Sequence, residues 1–598
     1  MASQLFKFST TIRNPSRYKD FLQTITKIEG LDFNEEVQAR FQILLTQDRL
    51  YQPMKSKLNV DDELLNKYLD KTYKLSYEEA SDLLLSIGYT GGLDMRGRQS
   101  SNPLNQLGLV IARKTLGKVV ITEFGKEMLG DRPVDYLFIK SLLKVQYPNP
   151  RDKYNKYSDG YNTVPFISFL KFLSEANKLN YKKKGLTQRE FGLFVTSIKK
   201  YNDIEEQVSN LIEFRETVDK TLYIQKFARK FYNVKSPSET EVNNFGEYGD
   251  NLMRVYRMTK LFSVIRPTML ADWRIDFDPS RIGEIHQLLK SFTGESKNFE
   301  DEGIHGYIKY LADTYHPQLP WETKPALIEV IVSLKDTIQN LLNEFKFDLS
   351  SNEKKFLNLE NYSNMKIEIL NDIKHNYIAI IDNMRKTIYE KKLLNNIDEL
   401  DKIIVLLDGP VKKLPTPDFF EKLISDVFLI LGNYVEIKPN YVKDSEYNPI
   451  SHAPGGAADI ECYYQNFNFI IEVTKMGGSQ QAIMECEPVS RHLYAFNQAN
   501  NKKDNYLLFV APNIHDDTYV SFYKSVRGDG GYGVQHIIPI SCIQLSKILK
   551  SIKLNLSKGD FEPERLENLF KKILRSSLSS KTIFEWKASI QSIISKEE

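Results

Sequence analysis

Two runs of strand-forming residues, IECYY (460–464) and FNFIIEVT (467–474), are separated by only Gln465 and Asn466. A gap that short leaves a β-hairpin as the simplest solution, and a hairpin fixes which residues stand opposite one another. Asp459 leaves a turn rich in Gly and Ala at the open end of the first strand, and Glu472 lies near the end of the second. Antiparallel pairing therefore brings the two carboxylates together. With the Val473 carbonyl beside them they make an all-oxygen set suited to Mg²⁺. An Asp and a Glu thirteen positions apart also occur as two surface acids at strand ends, so the spacing alone leaves both readings standing.

The text around the hairpin predicts an α/β domain over 411–598. Its order is a helix (DFFEKLISDVFLILG), a strand (YVEIKP), the hairpin, a helix through RHLYAFNQ, a strand (NYLLFVAP), a helix, a strand (VQHIIPIS) and C-terminal helices. NYLLFVAP is continuously apolar, as a strand buried on both faces must be. The stop before this domain is DGPVKKLPTP, where Gly409, Pro410, Pro415 and Pro417 end any helix.

The preceding chain divides into three further segments. Residues 1–155 open with helices between 18 and 90, whose apolar residues recur at three and four. A polar, Gly-rich loop, GGLDMRGRQSSNPLNQLG, follows with Arg96 and Arg98, and then a hairpin turning at Leu116–Gly117 with Arg113 and Lys114. Helices followed by a two-stranded wing predict a winged-helix-like unit whose basic residues face DNA; the competing reading is a solvated loop and an ordinary hairpin. Residues 156–321 repeat the order. Thr187 caps a helix that Glu190 closes from three residues on, and NLMRVYRMTKLFSV precedes a second hairpin-like run. The Lys182–Lys184 run and a stripe of Arg254, Arg257 and Lys260 are further phosphate candidates, although such stripes are commonly solvated faces. Residues 322–410 read as long charged helices, a spacer between two working domains.

A longer string adds specificity: H-A-x-G from His452, D-(12 residues)-E-V-T from Asp459, and E-x-E-P-V-S-R-H ending at His492. FSTTIRNPSRY near the N-terminus, R-x-R at Arg96 and Arg98 with GLVIARKTLGKVVITEFGKEML after it, Gln146–Pro148 and FFEKL around Glu421 accompany it in order. On these residues the chain resembles the AlwI-type family of Type IIS restriction and site-specific nicking endonucleases, whose nuclease core is of the PD-(D/E)XK type. Two departures from the general core pattern are Ala458 in place of Pro and Thr474 in place of Lys, the second shared with the family.

The resemblance implies a multidomain α+β protein: a helical, winged-helix-like N-terminal half that binds double-stranded DNA, a helical linker, and a C-terminal α/β nuclease domain with an αβββαβ core. It makes Asp459, Glu472, Glu421 and Glu485 the catalytic acids, with Asp459, Glu472, the Val473 carbonyl and Glu485 as Mg²⁺ ligands. Arg491 and His492 become candidates for the scissile-strand phosphate, or else for helix packing. His452 is a candidate base or a loop residue. Thr474 carries no positive charge, so the charge stabilisation a lysine would give has to come from metal, and alternation points Lys475 to the opposite face. One core cuts one strand, so a second cut implies a transient homodimer or a separate small nuclease subunit.

Composition restricts the alternatives. Of 598 residues, 81 are basic and 78 acidic, a net charge of +3 that permits nucleic-acid binding without announcing it. No apolar run is long enough to span a bilayer and the N-terminus lacks an apolar export segment, which predicts a cytoplasmic protein with no membrane partner, in a bacterium as the resemblance implies. Cys462, Cys486 and Cys542 show no metal-ligand spacing and are expected to be reduced and structural. The rival functions are a DNA-binding regulator or assembly protein with an inert nuclease-like domain, and a transposition or repair nuclease.

Overall fold

The computed structural model describes residues 4–69, 73–89, 92–152, 156–179, 184–265, 273–444, 446–451, 457–556 and 561–597. The chain forms two compact units: Met1–Asp61, Lys74–Met384 and Asp444–Glu446 in the first, and Asp62–Tyr73, Arg385–Lys443 and Tyr447–Glu598 in the second.

In the first unit the helix Glu35–Gln47, capped by the Asn34 side chain, packs against a helix over Gly92–Gln106. The second of these is the stretch expected to be a Gly-rich loop. Its low intrinsic helix propensity is overridden by packing, because a Cβ on Gly97 would lie 1.8 Å from the Gln38 carbonyl oxygen. Only glycine lets the two backbones meet so closely, and Ser100 Oγ then donates to Gln42 Oε1 at 2.9 Å. The hairpin expected next is present: Val110–Ile111 pairs antiparallel with Val120–Ile121, turning through Lys114–Leu116 and a Gly117 with φ of 78°.

The helix-then-hairpin order recurs. The helix Glu239–Arg257 leads into Phe262–Ile265, which pairs antiparallel with Arg274–Phe277; the connecting residues 266–272 lie outside the described ones, as do Lys182 and Lys183. Thr187 and Glu190 form the reciprocal cap predicted, with bonds of 3.2 and 2.9 Å. Glu190 also receives Arg215 at 2.9 Å and Arg274 at 2.8 Å, Glu190 and Arg274 being buried and Arg215 partly so. Lys144 is fully buried, donates to the carbonyls of Leu311 and Asp313 at 2.7 Å each, and lies 4.1 Å over the Phe124 ring. Burial pulls its ammonium down to about 7.

The long helices expected to form a spacer do not all stand apart. Leu327, Val330, Ile331, Leu334 and Ile338 of Lys324–Glu344 share one core with residues as distant as Phe8 and Phe41, and so do Leu370, Ile373, Tyr377 and Ile381 of Ile367–Leu393. Lys374 adds a 2.6 Å ion pair to the buried Glu284. The unit boundary falls inside the helix Ile367–Leu393, after Met384, rather than at the Pro-rich stop before residue 417. Periodicity shows that a helix has an apolar face but not what covers it.

The second unit is built on five strands: β1 (Glu436–Pro439), β2 (Ile460–Tyr463), β3 (Phe467–Val473), β4 (Asp504–Ala511) and β5 (Ile537–Ser541). Their order across the sheet is β5-β4-β3-β2-β1; β3, β4 and β5 run parallel, while β1–β2 and β2–β3 are antiparallel. Helix α1 (Pro417–Leu431) precedes β1, α2 (Ser479–Ala499) joins β3 to β4 and α3 (Asp516–Arg527) joins β4 to β5. Within this sheet the α-β-β-β-α-β order read from the sequence is the order observed, with two short strands, Val442–Lys443 and Pro449–Ser451, paired in a separate ribbon between β1 and β2. Residues Asn505–Ala511 of β4 are all buried, which explains why its sequence does not alternate. All three cysteines are buried and free. Among the described residues no helix is long and apolar enough to cross a membrane.

Candidate active site

The β2–β3 ladder pairs Ile460 with Ile471, and one further rung in the same register sets Asp459 opposite Glu472. The turn residues Gln465 and Asn466 thus bring the two acids together as the hairpin predicts. Asp459 Oδ2 accepts the Val473 N–H at 2.7 Å. In an extended strand a residue's N–H and C=O point to the same side, so the Val473 carbonyl is on the edge that faces Asp459. Thr474 N–H, pointing the other way, bonds Val510 in β4 at 3.0 Å.

Three further groups close on this edge. Glu421 is buried on α1. Glu485, on the first half of α2, accepts the Thr474 hydroxyl at 3.2 Å, and that hydroxyl also takes the Met476 N–H at 3.0 Å. Two turns along α2, His492 Nδ1 contacts Glu472 Oε1 at 2.6 Å. Sequence alone leaves His492 between phosphate contact and helix packing; the structure instead places it on a carboxylate. The signal was the seven-residue interval between Glu485 and His492, which puts both on one helix face. Lys475 is turned away, its ammonium bonded to the carbonyls of Leu414 and Pro415 at 3.1 and 2.8 Å. His452 lies outside the described residues.

The electrostatics of the cluster are unbalanced. Burial, then Glu472, Glu421 and Glu485, hold the Asp459 carboxyl well above the usual carboxylate range, and the Val473 N–H only partly opposes them. Glu472 is raised as well, by burial, Glu485 and Glu421, against Arg491. His492 is lowered by burial and by Arg491, and its Nε2 is shut from solvent with no bonding partner among the described residues. Among the described residues no three His, Cys, Asp or Glu side chains stand close enough to hold a metal ion as placed. The donors nonetheless fit a hard divalent cation in kind: several carboxylates and a carbonyl, buried together, with mutual repulsion that a cation would reverse.

The expected DNA-facing residues fare unequally. Arg98 and Arg491 are exposed, and Arg96 is half-buried with its guanidinium 4.8 Å over the Tyr89 ring. Lys114 is exposed but ion-paired with Glu35, and Arg254 is paired with Asp250 at 3.0 Å. Arg257 does not face solvent: it is buried and bonds Asp444 at 3.3 Å, while the same carboxylate oxygen takes the Val264 N–H at 2.7 Å. The basic stripe expected from Arg254, Arg257 and Lys260 is therefore broken at its centre. Spacing of three along a helix names a face, and here the face at Arg257 is an interior one.

The family model of the AlwI restriction endonuclease matches residues 105–548. No curated protein matches the chain. Among solved structures, the small subunit of the heterodimeric restriction endonuclease R.BspD6I matches at 25% identity, covering 33% of this chain and 98% of its own, with a TM-score of 0.28. The BpuJ1 endonuclease binding domain, solved with modified DNA, matches at 10% identity, covering 43% of this chain and 96% of its own, with a TM-score of 0.28. Restriction endonuclease FokI matches at 11% identity over 95% of this chain and 99% of its own, with a TM-score of 0.23. These three superpositions are too loose to place individual residues.

Proposed function

Because this chain belongs to the AlwI restriction endonuclease family, we propose that it is a Mg²⁺-dependent, sequence-specific DNA endonuclease of Type IIS or strand-nicking organisation. The first unit binds a short asymmetric site on double-stranded DNA, with winged-helix-like elements presenting Arg96, Arg98 and Arg113. The second unit hydrolyses one phosphodiester a few base pairs away, as a nuclease domain of the PD-(D/E)XK type. The observation that supports this reading most directly is the register that sets Asp459 opposite Glu472 beside Glu421 and Glu485.

In this reading Asp459, Glu472, Glu485 and the Val473 carbonyl hold the cation, with Glu421 the additional acid. Bound there, Mg²⁺ supplies the Lewis-acid charge stabilisation that a phosphodiester displacement needs. The chain's own groups set the geometry. The Val473 N–H fixes one oxygen of Asp459, His492 fixes one oxygen of Glu472, and the Thr474 hydroxyl fixes one oxygen of Glu485. Water attacks phosphorus in line, the bond to the 3′ oxygen breaks, and the products carry a 3′-hydroxyl and a 5′-phosphate. The described residues of the second unit hold one such cluster, so one chain cuts one strand. A double-strand break then requires a transient homodimer or a separate small nuclease subunit.

The test is to incubate the purified chain with supercoiled plasmid, with Mg²⁺ or with EDTA, across a protein dilution series and to map the ends. Nicking at a fixed offset from one short sequence, abolished by EDTA, is the expected result. Cleavage without sequence preference would overturn the site-specific reading, and binding without any cleavage in Mg²⁺ would favour the inert-domain alternative.

A further inference from the structure

Asn105 ends a helix in the first unit and holds two arginines that are far apart in sequence. Its side chain clamps Ala112, accepting the N–H at 2.9 Å and donating to the carbonyl at 3.1 Å, and so fixes the backbone immediately before Arg113. Its own carbonyl accepts Arg151 Nη1. Arg151 is anchored from behind by its backbone N–H, bonded to Asn149 Oδ1 at 3.0 Å.

Neither guanidinium is satisfied. Arg113 Nη1 and Arg151 Nε are both shut from solvent without a hydrogen-bond partner among the described residues, and no carboxylate is ion-paired to either there. Both residues are nevertheless only half-buried, so part of each side chain stands at the surface while the two unpartnered nitrogens lie just beneath it. Two desolvated N–H groups on adjacent like charges are costly unless an anion completes them. Burial and Arg113 pull Arg151 down to about 10, against the weaker opposite pull of Tyr307, Tyr147 and Asp152. Surface lysines of this chain contrast sharply with this pair: Lys27, Lys114 and Lys126 each have a carboxylate within an ion pair.

We propose that Arg113 and Arg151, set by Asn105, form a two-guanidinium site for one phosphate group, occupied by a backbone phosphodiester of bound DNA. A guanidinium presents N–H donors in a planar fork that matches two phosphate oxygens, and two forks around one phosphate use the nitrogens now unpartnered. The inference rests on the reading that the first unit binds DNA. The hairpin pattern points to Arg113 but not to Arg151, which follows a Pro and joins its partner only through the fold.

The test uses the full chain in EDTA. Duplex affinity is measured by fluorescence anisotropy over a salt series for the wild type, Arg113→Gln, Arg151→Gln and the double variant, with thermal unfolding in inorganic phosphate alongside. Each single variant should bind the duplex roughly tenfold or more weakly, and the slope of log affinity against log salt should fall by about one. The double variant should lose less than the product of the two, because one phosphate is shared. Inorganic phosphate should raise the melting temperature of the wild type and not that of Arg151→Gln. If a Gln variant fails to fold, Arg113→Lys and Arg151→Lys, which keep the charge but not the fork, should bind more weakly with the salt slope retained. Folded variants with unchanged affinity and slope would overturn the proposal. A wild type that binds no duplex but is stabilised by phosphate, with the effect lost in the variants, would leave the anion site standing and remove DNA as its occupant. A wild type that does neither would overturn the site.

Discussion

The acid cluster on β2 and β3 and the basic side chains of the first unit differ in how their charge is answered. Asp459, Glu472, Glu421 and Glu485 gather with one another, and Arg491 is the cation that acts on Glu472 from the next turn of α2. In the first unit many cations already have a carboxylate: Lys114 has Glu35, Arg254 has Asp250, Arg257 has Asp444, and Arg215 and Arg274 share Glu190. A charge answered by one opposite charge within the chain is mostly structural, whereas like charges buried against one another mark a candidate site for something the chain does not contain. By that criterion the acids, and Arg113 with Arg151, are the charges on which the proposed function and the proposed phosphate site rest, and Arg257 is not among them.

The largest effect should come from the gathered acids. Asp459→Ala or Glu472→Ala should lower plasmid cleavage by at least roughly a hundredfold while duplex affinity in EDTA stays within about twofold, since binding is assigned to the other unit. Cleavage at the wild-type rate by either variant would break the comparison at its stronger end. The answered cations should behave oppositely. Arg257→Ala takes the guanidinium away from a buried carboxylate and should destabilise the first unit by about 3–5 kcal/mol, read by thermal unfolding, with an unchanged salt slope for whatever folded protein still binds DNA.

A buried cation answered by carbonyls rather than by a carboxylate lies between these cases. Lys144 is held down to about 7 in the folded chain, against roughly 10.4 unfolded. Between those values the unfolded state binds the extra proton, so stability rises with pH through that window and is insensitive to this group below it. The slope it adds should be at most about 1.4 kcal/mol per pH unit, and Lys144→Met should abolish that contribution in unfolding curves taken from pH 7 to 10. A variant that keeps the slope would show that another group titrates.

Smaller again is the effect of removing a support. Thr474→Val keeps the shape of the side chain but releases Glu485, and should lower cleavage by about 10- to 100-fold with duplex affinity unchanged. Least of all, Lys114→Ala breaks an exposed ion pair and should change stability by no more than about 1 kcal/mol. A loss several times greater would show that exposed, answered charges in this chain matter more than their exposure implies.

Legibility in the sequence follows the range of the interactions involved. The hairpin that joins Asp459 to Glu472, the Thr187–Glu190 cap and the α-β-β-β-α-β order depend on residues close in the chain, and each could be read from pattern alone. The Gly92–Gln106 helix could not, because its glycine is explained by the Gln38 backbone and its serine by Gln42. Nor could the burial of Arg257, whose partner Asp444 is 187 positions away. The helices of 324–384 show their apolar faces in the sequence, but nothing local says that Phe8 and Phe41 belong to the same core. The pairing of His492 with Glu472 was half visible, as helical spacing from Glu485.

The tight hairpin between β2 and β3 also bears on how such a chain can change by descent. Side chains along a strand alternate in facing, so a slip of one residue between Ile460 and Ile471 would send one acid to the other side of the sheet. Length changes inside that interval are thus visible to selection even when every residue type is kept. The interval from Glu472 to Glu485 is of another kind, since it crosses Gly477 and Gly478 before α2 begins and can absorb an insertion in its loop. Descendants of this sequence should therefore vary in the approach to α2 and keep a fixed count across the hairpin.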